Sequence, residues 1–168
     1  MLKEGDPRTL GRAREVQSLI SPANVAQLIA CWTDADPVVQ MRAVNVTEKL
    51  SRQRIALFEP FKPLFIDLLD SATEKQIRWN LASIVPRLRL SRSEAHHVAE
   101  MLMKYLNDSS SIVKTLAIQG LWDLTRIDPG LRPEVLEILR MALATGTKAM
   151  QARSRNLLKD FHDKPVKI

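Results

Sequence analysis

The side chains in this chain most able to do chemistry are Cys31, the adjacent His96 and His97, and Asp123 beside Trp122. Neighbouring residues on a helix diverge by about 100°, so His96 and His97 cannot easily grip one metal ion and are expected at a surface or edge. Cys31 is the single cysteine. A lone thiol forms no internal disulfide, which fits a reducing compartment. Nothing near it in sequence would clearly depress its pKa, so a buried, inert thiol is expected. The chain carries no Gly-rich phosphate loop, no repeated Cys/His metal spacing and no nucleophile motif. A non-enzymatic protein with no cofactor and no metal is the expectation.

Binding chemistry is better represented. Trp79 and Trp122 are accompanied by Arg78 and Arg126. Arginine beside tryptophan suits acidic peptides, through charge-assisted hydrogen bonds and cation–π contact. It also suits nucleic-acid backbones with stacking bases. The formal charge is +6 and unevenly spread. Residues 75 to 92 carry Lys75, Arg78, Arg87, Arg89 and Arg92 without an acid, and residues 147 to 168 carry six basic residues, Arg153 and Lys159 among them, against two acids. Such blocks attract nucleic acid or acidic proteins when they converge on one face, and are a solvated helix surface when they do not.

These residues must be positioned by helices. Only five glycines occur, while Leu, Ala and Arg are abundant, which favours helix over sheet. No apolar run approaches the ~18 residues a membrane helix needs. The first residues lack the apolar segment of a signal peptide, so a cytoplasmic protein without membrane contact is expected. Two apolar ladders recur every 37 residues: Leu28, Phe65, Leu102 and Leu139, then Trp32, Leu69, Leu106 and Leu143. A fixed period in this range marks a repeat architecture. A helix over 10–20, N-capped by Thr9, is followed by pairs: first helices over 23–33, 60–69, 94–106 and 132–144, second helices over 37–51, 74–90, 111–126 and 147–161. Residues 1–8 read as a loose leader and 162–168 as a frayed basic tail. The second helices share a stripe at steps of four, three and four: Val39, Ala43, Val46, Leu50; Ile77, Leu81, Ile84, Leu88; Val113, Ala117, Gly120, Leu124; Met150, Ser154, Leu157, Phe161.

This pattern resembles the HEAT-repeat family. The family's repeat places Asp in the turn, then Val-Arg, then Ala three residues on. The chain has Asp34, Val39, Gln40 and Ala43; Ile77, Arg78 and Leu81; Asp108, Val113, Lys114 and Ala117; Met150, Gln151 and Ser154. The resemblance spans about residues 23–161. It implies an all-α, right-handed, armadillo-like α-α superhelix of about four helix pairs plus an N-terminal helix, a single domain over 9–161 with repeats at about 23–51, 60–90, 94–126 and 132–161. Only Arg78 and Lys114 keep the basic position, with Gln40 and Gln151 in the others, so the family's Asp–Arg ladder is incomplete.

The resemblance also implies that the second helices line a concave face. With Val39 at 0° and about 100° per residue, the core stripe centres near 20° and the opposite face near 200°. That face would carry Met41, Asn45, Glu48 and Arg52; Trp79, Ser83, Pro86 and Leu90; Thr115, Gln119, Trp122 and Arg126; Ala152, Asn156, Lys159 and Asp163. Asn45, Ser83, Gln119 and Asn156 form a ladder of uncharged hydrogen-bonding groups. Exposed Trp79 and Trp122 would be binding anchors. A protein or peptide ligand is therefore expected there, with Arg78 and Arg126 selecting acidic groups. The alternatives are nucleic acid on the basic patch of Lys75, Arg87, Arg89, Arg92, Arg153 and Lys159, or self-association, and the sequence leaves the oligomeric state open. A remoter reading follows from the alkylpurine DNA glycosylases among HEAT-like proteins, of which Trp122-Asp123, Trp79 and the arginines are a two-residue echo.

Overall fold

Several helices open on a side chain or proline suited to a helix start. The computed structural model describes residues 2–3 and 12–163, apart from a few side chains near the two ends, and its regular structure there is entirely helical. The helices are α1 (Ala13–Leu19), α2 (Val25–Ala30), α3 (Pro37–Arg54), α4 (Lys62–Ser71), α5 (Lys75–Ile84), α6 (Arg92–Tyr105), α7 (Ser111–Leu124), α8 (Arg132–Thr145) and α9 (Lys148–Asp163). Asp36 caps α3 by accepting from the Val38 N–H at 2.9 Å, with Pro37 in the first turn where no N–H is needed. Ser91 and Glu94 form a reciprocal capping box on α6. Ser110 caps α7.

The expected helix over 74–90 is shorter in the structure. α5 ends at Ile84, and Val85–Arg87 tightens into a 3-10 turn around Pro86. Proline lacks an N–H and its ring crowds the preceding turn, so an α-helix cannot run through it unbent. Leu88 is extended and caps that turn. Pro86 is therefore buried in the interior rather than on the outer face.

α3, α5, α7 and α9 pack in sequence, each against the next, and α1 extends this layer by packing on α3. α2, α4, α6 and α8 each pack on the helix that follows. The ladder Leu28, Phe65, Leu102 and Leu139 is buried between the two rows, as are Trp32 and Leu69, while Leu106 and Leu143 are half-buried. The Trp32 ring stacks on Phe65 with centroids 5.1 Å apart. Its indole N–H donates to Thr47 Oγ1 at 3.1 Å, so the polar edge is satisfied within the core.

Small residues on the second-helix stripe mark close approaches. A Cβ on Gly120 would lie 2.8 Å from the Ala82 carbonyl oxygen and 2.8 Å from Leu102 Cδ1. In α3, α5 and α9 the position following the first stripe residue ties the helix back to the turn before it. Gln40 donates to the Trp32 carbonyl at 2.7 Å and Gln151 to the Gly146 carbonyl at 3.0 Å. Arg78 does the same to the Thr73 carbonyl, and its Nε also donates to Asp108 Oδ2 at 2.7 Å in the next turn.

The expected leader is partly anchored. Leu2 packs against the core, and its carbonyl accepts from the fully buried Arg42 at 2.6 Å. Thr9, most of the 1–8 leader and residues 164–168 lie outside the described residues, as do the side chains of Phe161 and Asp163.

Candidate functional site

The outer side of the α3–α5–α7–α9 layer carries a chain of polar contacts that crosses from helix to helix. Glu48 of α3 is buried, yet it accepts from Arg52 Nε at 3.0 Å and from Arg87 Nη1 at 3.0 Å. Arg87 Nη1 also donates to Ser51 Oγ at 2.7 Å. The 3-10 turn after α5 is thereby bound to α3. Further along, Arg153 of α9 donates to Gln119 Oε1 of α7 at 2.8 Å, and Gln119 Nε2 donates to Asp123 Oδ1 at 3.0 Å. An amide can bridge in this way because its oxygen accepts while its nitrogen donates.

Asp123 sits where these contacts converge. Burial pushes its carboxyl pKa up, against the lowering influence of the Gln119 hydrogen bond and the charges of Arg126, Arg87 and Arg153. The charges of three guanidiniums thus act on one half-buried carboxylate. Arg87 and Arg153 are held by Glu48 and Gln119, while Arg126 is exposed in the turn after α7. The arrangement can present charged and amide groups of both polarities to a ligand. Perturbed, desolvated carboxylates of this kind concentrate at functional sites.

Several residues singled out from the sequence have other roles. Trp122 is only 7% exposed and belongs to the core, so it is not the open anchor expected. α7 has α5 and α9 on its flanks and α6 and α8 behind it, which leaves little free circumference. Trp79 is half-buried and packs against the core. Arg78 is committed to Asp108 and the Thr73 carbonyl, so it holds consecutive helix pairs together rather than selecting acidic ligands. The amide ladder is not a row of free groups: Asn45 donates to the Met41 carbonyl at 3.0 Å and Gln119 bridges Asp123 and Arg153. Ser83 is half-buried and Asn156 is exposed.

The basic residues do not form one patch. Lys75 begins α5, whereas Arg89 and Arg92 flank the start of α6, beyond the other end of a helix about 15 Å long. Lys75, Arg87, Arg153 and the exposed Lys159 lie on the helices and turn that build the outer face, with Lys75 at the opposite end of α5 from Arg87. His96 and His97 are exposed. Cys31 is half-buried, and its thiol donates to the Gln27 carbonyl at 3.3 Å. Burial, with Asp34 adding to it, pushes that thiol pKa up, away from reactivity. Among the described residues no group of three or more His, Cys, Asp or Glu could hold a metal, and no helix is long and apolar enough to cross a membrane.

Glu48 carries no motif that marks it in the sequence; the usable sign is spacing, since Glu48 to Arg87 is 39 residues and Gln119 to Arg153 is 34, both close to the repeat period.

No family model matches the chain, and no curated protein matches it. Among solved structures, it is similar to the crystal structure of an engineered protein of the Northeast Structural Genomics Consortium. That likeness has a TM-score of 0.62 at 14% identity and covers 92% of this chain and 68% of the other. It extends the all-helical fold to a second sequence and speaks to the fold alone.

Proposed function

We propose that the chain is a HEAT-like, right-handed α-α superhelix that acts as a non-enzymatic binding module. Its ligand is a protein or peptide lying across the outer face of α3, α5, α7 and α9. Three features support the superhelix: helix pairs at a 37-residue period, the continuous layer of second helices, and the Arg78–Asp108 rung between consecutive pairs. One observation carries the binding site: the half-buried Asp123 carboxylate accepts from Gln119 Nε2 at 3.0 Å within a network that reaches Arg153, with the charges of Arg87 and Arg126 also acting on it. Holding a charged carboxylate out of water costs free energy that structure alone does not require. A ligand that brings both an acidic group for Arg126 and a donor for Asp123 would complete the set.

The mixed polarity of this face favours a peptide over a nucleic-acid backbone. Glu48 and Asp123 sit among its arginines, and phosphate-binding surfaces rely on cations without such acids. Binding rests on the arginines and amides, with Trp79 contributing the apolar part.

The test is selection of peptides from a displayed random library against the intact chain, followed by affinity measurement with Arg126→Glu. Loss of about tenfold or more is expected, because charge-assisted hydrogen bonds are worth roughly 1.5–3 kcal/mol each. Selected peptides that bind Arg126→Glu unchanged would overturn the proposal. So would duplex DNA binding that falls by orders of magnitude between ~50 and ~200 mM salt.

A further inference from the structure

The Arg78–Asp108 rung has a counterpart one repeat later that lacks its acid. Lys114 stands at the position of Arg78, and the residue 37 places after Asp108 is Thr145. Lys114 is half-buried, and among the described residues no carboxylate pairs with it. Asp108, in the turn just before it, feels its charge. The oxygens of that carboxylate are already engaged, however: Oδ2 accepts from Arg78 Nε at 2.7 Å and Oδ1 from the Ser110 N–H at 2.7 Å.

A cavity of about 360 Å³ opens where the missing acid would sit, and both Lys114 and Thr145 line it. It lies between the turn that precedes α7 and the turn that precedes α9. Lys114 is the single charge in its lining, which holds no carboxylate. Most of the remaining wall is apolar. Leu106 and Met150 are half-buried and Met141 is 54% exposed, so these three side chains present surface that a ligand can reach. Methionine is unbranched and polarizable, and adapts to apolar groups of varied shape. The repeat comparison and the cavity wall are separate observations, and together they call for a negative group with an apolar body attached.

We propose that this cavity binds a small carboxylic acid carrying a short apolar chain. The carboxylate takes the place of the absent rung acid and accepts from the Lys114 ammonium, with the exposed Asn107 amide as a second donor. The chain lies over Leu106, Met141 and Met150. One cation suits a monoanion better than a phosphate, which brings about two charges. The volume is at the lower end for small-molecule sites, whereas a folded partner would need about 1,000 Å² of interface. The site does not rest on the peptide reading, because Lys114 is in the first turn of α7 and Asp123 is in its last, about 14 Å along the helix.

The experiment titrates the full chain with octanoate, butyrate and octylamine at matched ionic strength. Calorimetry gives affinity, and NMR follows the methyl groups of Met141 and Met150. Octanoate should saturate and shift both methyls. Butyrate should bind at least tenfold more weakly, since each buried methylene is worth roughly fourfold in affinity. Octylamine, with the same chain and the opposite charge, should not bind. Lys114→Gln should weaken octanoate binding by about tenfold or more, as expected for a lost charge-assisted hydrogen bond. Glutamine already serves at the equivalent positions 40 and 151, so this variant should fold. Thr145→Asp restores an acid to the chain itself and should weaken octanoate binding to a similar degree. Arg92→Gln removes an exposed cation at the far end of α6 and should leave affinity unchanged. The proposal is overturned if octanoate fails to saturate at concentrations on the order of 10 mM, if octylamine binds as well as octanoate, or if Lys114→Gln or Thr145→Asp binds as the parent does. It is also overturned if Arg92→Gln weakens binding as much as Lys114→Gln.

Discussion

Two small residues on the second-helix stripe show how far residue identity is set by neighbours rather than by helix preference. Glycine in a helix is about 1 kcal/mol worse than alanine, so propensity alone would favour Gly120→Ala. The added Cβ would meet a backbone oxygen, Ala82 O at 2.8 Å, which cannot swing aside as a side chain can. Overpacking of this kind costs about 1–3 kcal/mol, which exceeds the propensity gain. Gly120→Ala should therefore lower the urea midpoint. Ser154, on the stripe of α9 at the position equivalent to Ala117, is fully buried, with an Oγ that has no hydrogen-bond partner. Ser154→Ala removes an unsatisfied group and should leave stability unchanged or raise it by about 1 kcal/mol. The pair is a direct check of the packing: opposite shifts are expected from two substitutions that both yield alanine, and a gain from Gly120→Ala would mean that α5 and α7 are not that close. The sequence pattern made the Ser154 position legible as small, alongside Ala43 and Ala117. It did not show that Gly120 has no room, because that depends on a carbonyl from another helix.

At the scale of the element, a cap can recruit a partner from outside its own turn, and faces were not readable from one helix alone. Ser91 and Glu94 fit the capping-box spacing, and the structure adds a partner from elsewhere: Lys62 pairs with Glu94 at 2.7 Å. The Lys62 hydrogen bond, then the Ser91 N–H, lower the Glu94 pKa to about 2. For a carboxylate depressed in the folded state, the unfolded chain binds the proton more readily. The stabilisation is thus fully present above the ordinary glutamate range and is lost as pH falls toward about 2. Glu94 is about one third exposed, so solvent screening keeps the effect modest. Urea unfolding between pH 5 and 2 should show Glu94→Gln closing the gap to the parent as pH drops; a gap independent of pH would rule out the ion pair as its source. Faces were harder for a geometric reason. A helical wheel gives angles relative to a helix's own stripe, and it placed Trp122 opposite that stripe. In the structure neighbours close around α7 from several directions, and the tryptophan is absorbed into the core. Likewise Pro86 ended α5 and shifted the phase of every residue after it.

For the whole molecule, the 37-residue period carried the two-row architecture, because Leu28, Phe65, Leu102 and Leu139 are all buried between the rows. What holds one pair to the next was less legible, since it lies in single contacts that break the repeat. Gln40 and Gln151 reach only to their own preceding turn, but Arg78 spans to Asp108 in the next one. The side chains of that ion pair are 18% and 7% exposed. Burial works to raise the Asp108 pKa, yet the Ser110 N–H and Arg78 together hold it below the usual carboxylate range. Removing one partner of a buried pair strands the other, at a cost of about 3–5 kcal/mol when solvent is fully excluded. Partial exposure here brings the expectation for Arg78→Gln down to about 1–3 kcal/mol. Glutamine is the informative replacement, because the chain itself uses it at positions 40 and 151 to hold the local turn. The variant should keep its helices while the start of α7 exchanges amide protons faster, as the second and third pairs loosen from each other. Lys104→Gln breaks a comparable link to Asp70, also between successive pairs, but both side chains are more than half exposed. That change should cost much less, because solvent screens an exposed pair. Equal losses from the two variants would mean that the pairs are held by the apolar ladders alone, and that the Arg78–Asp108 rung adds no coupling along the layer.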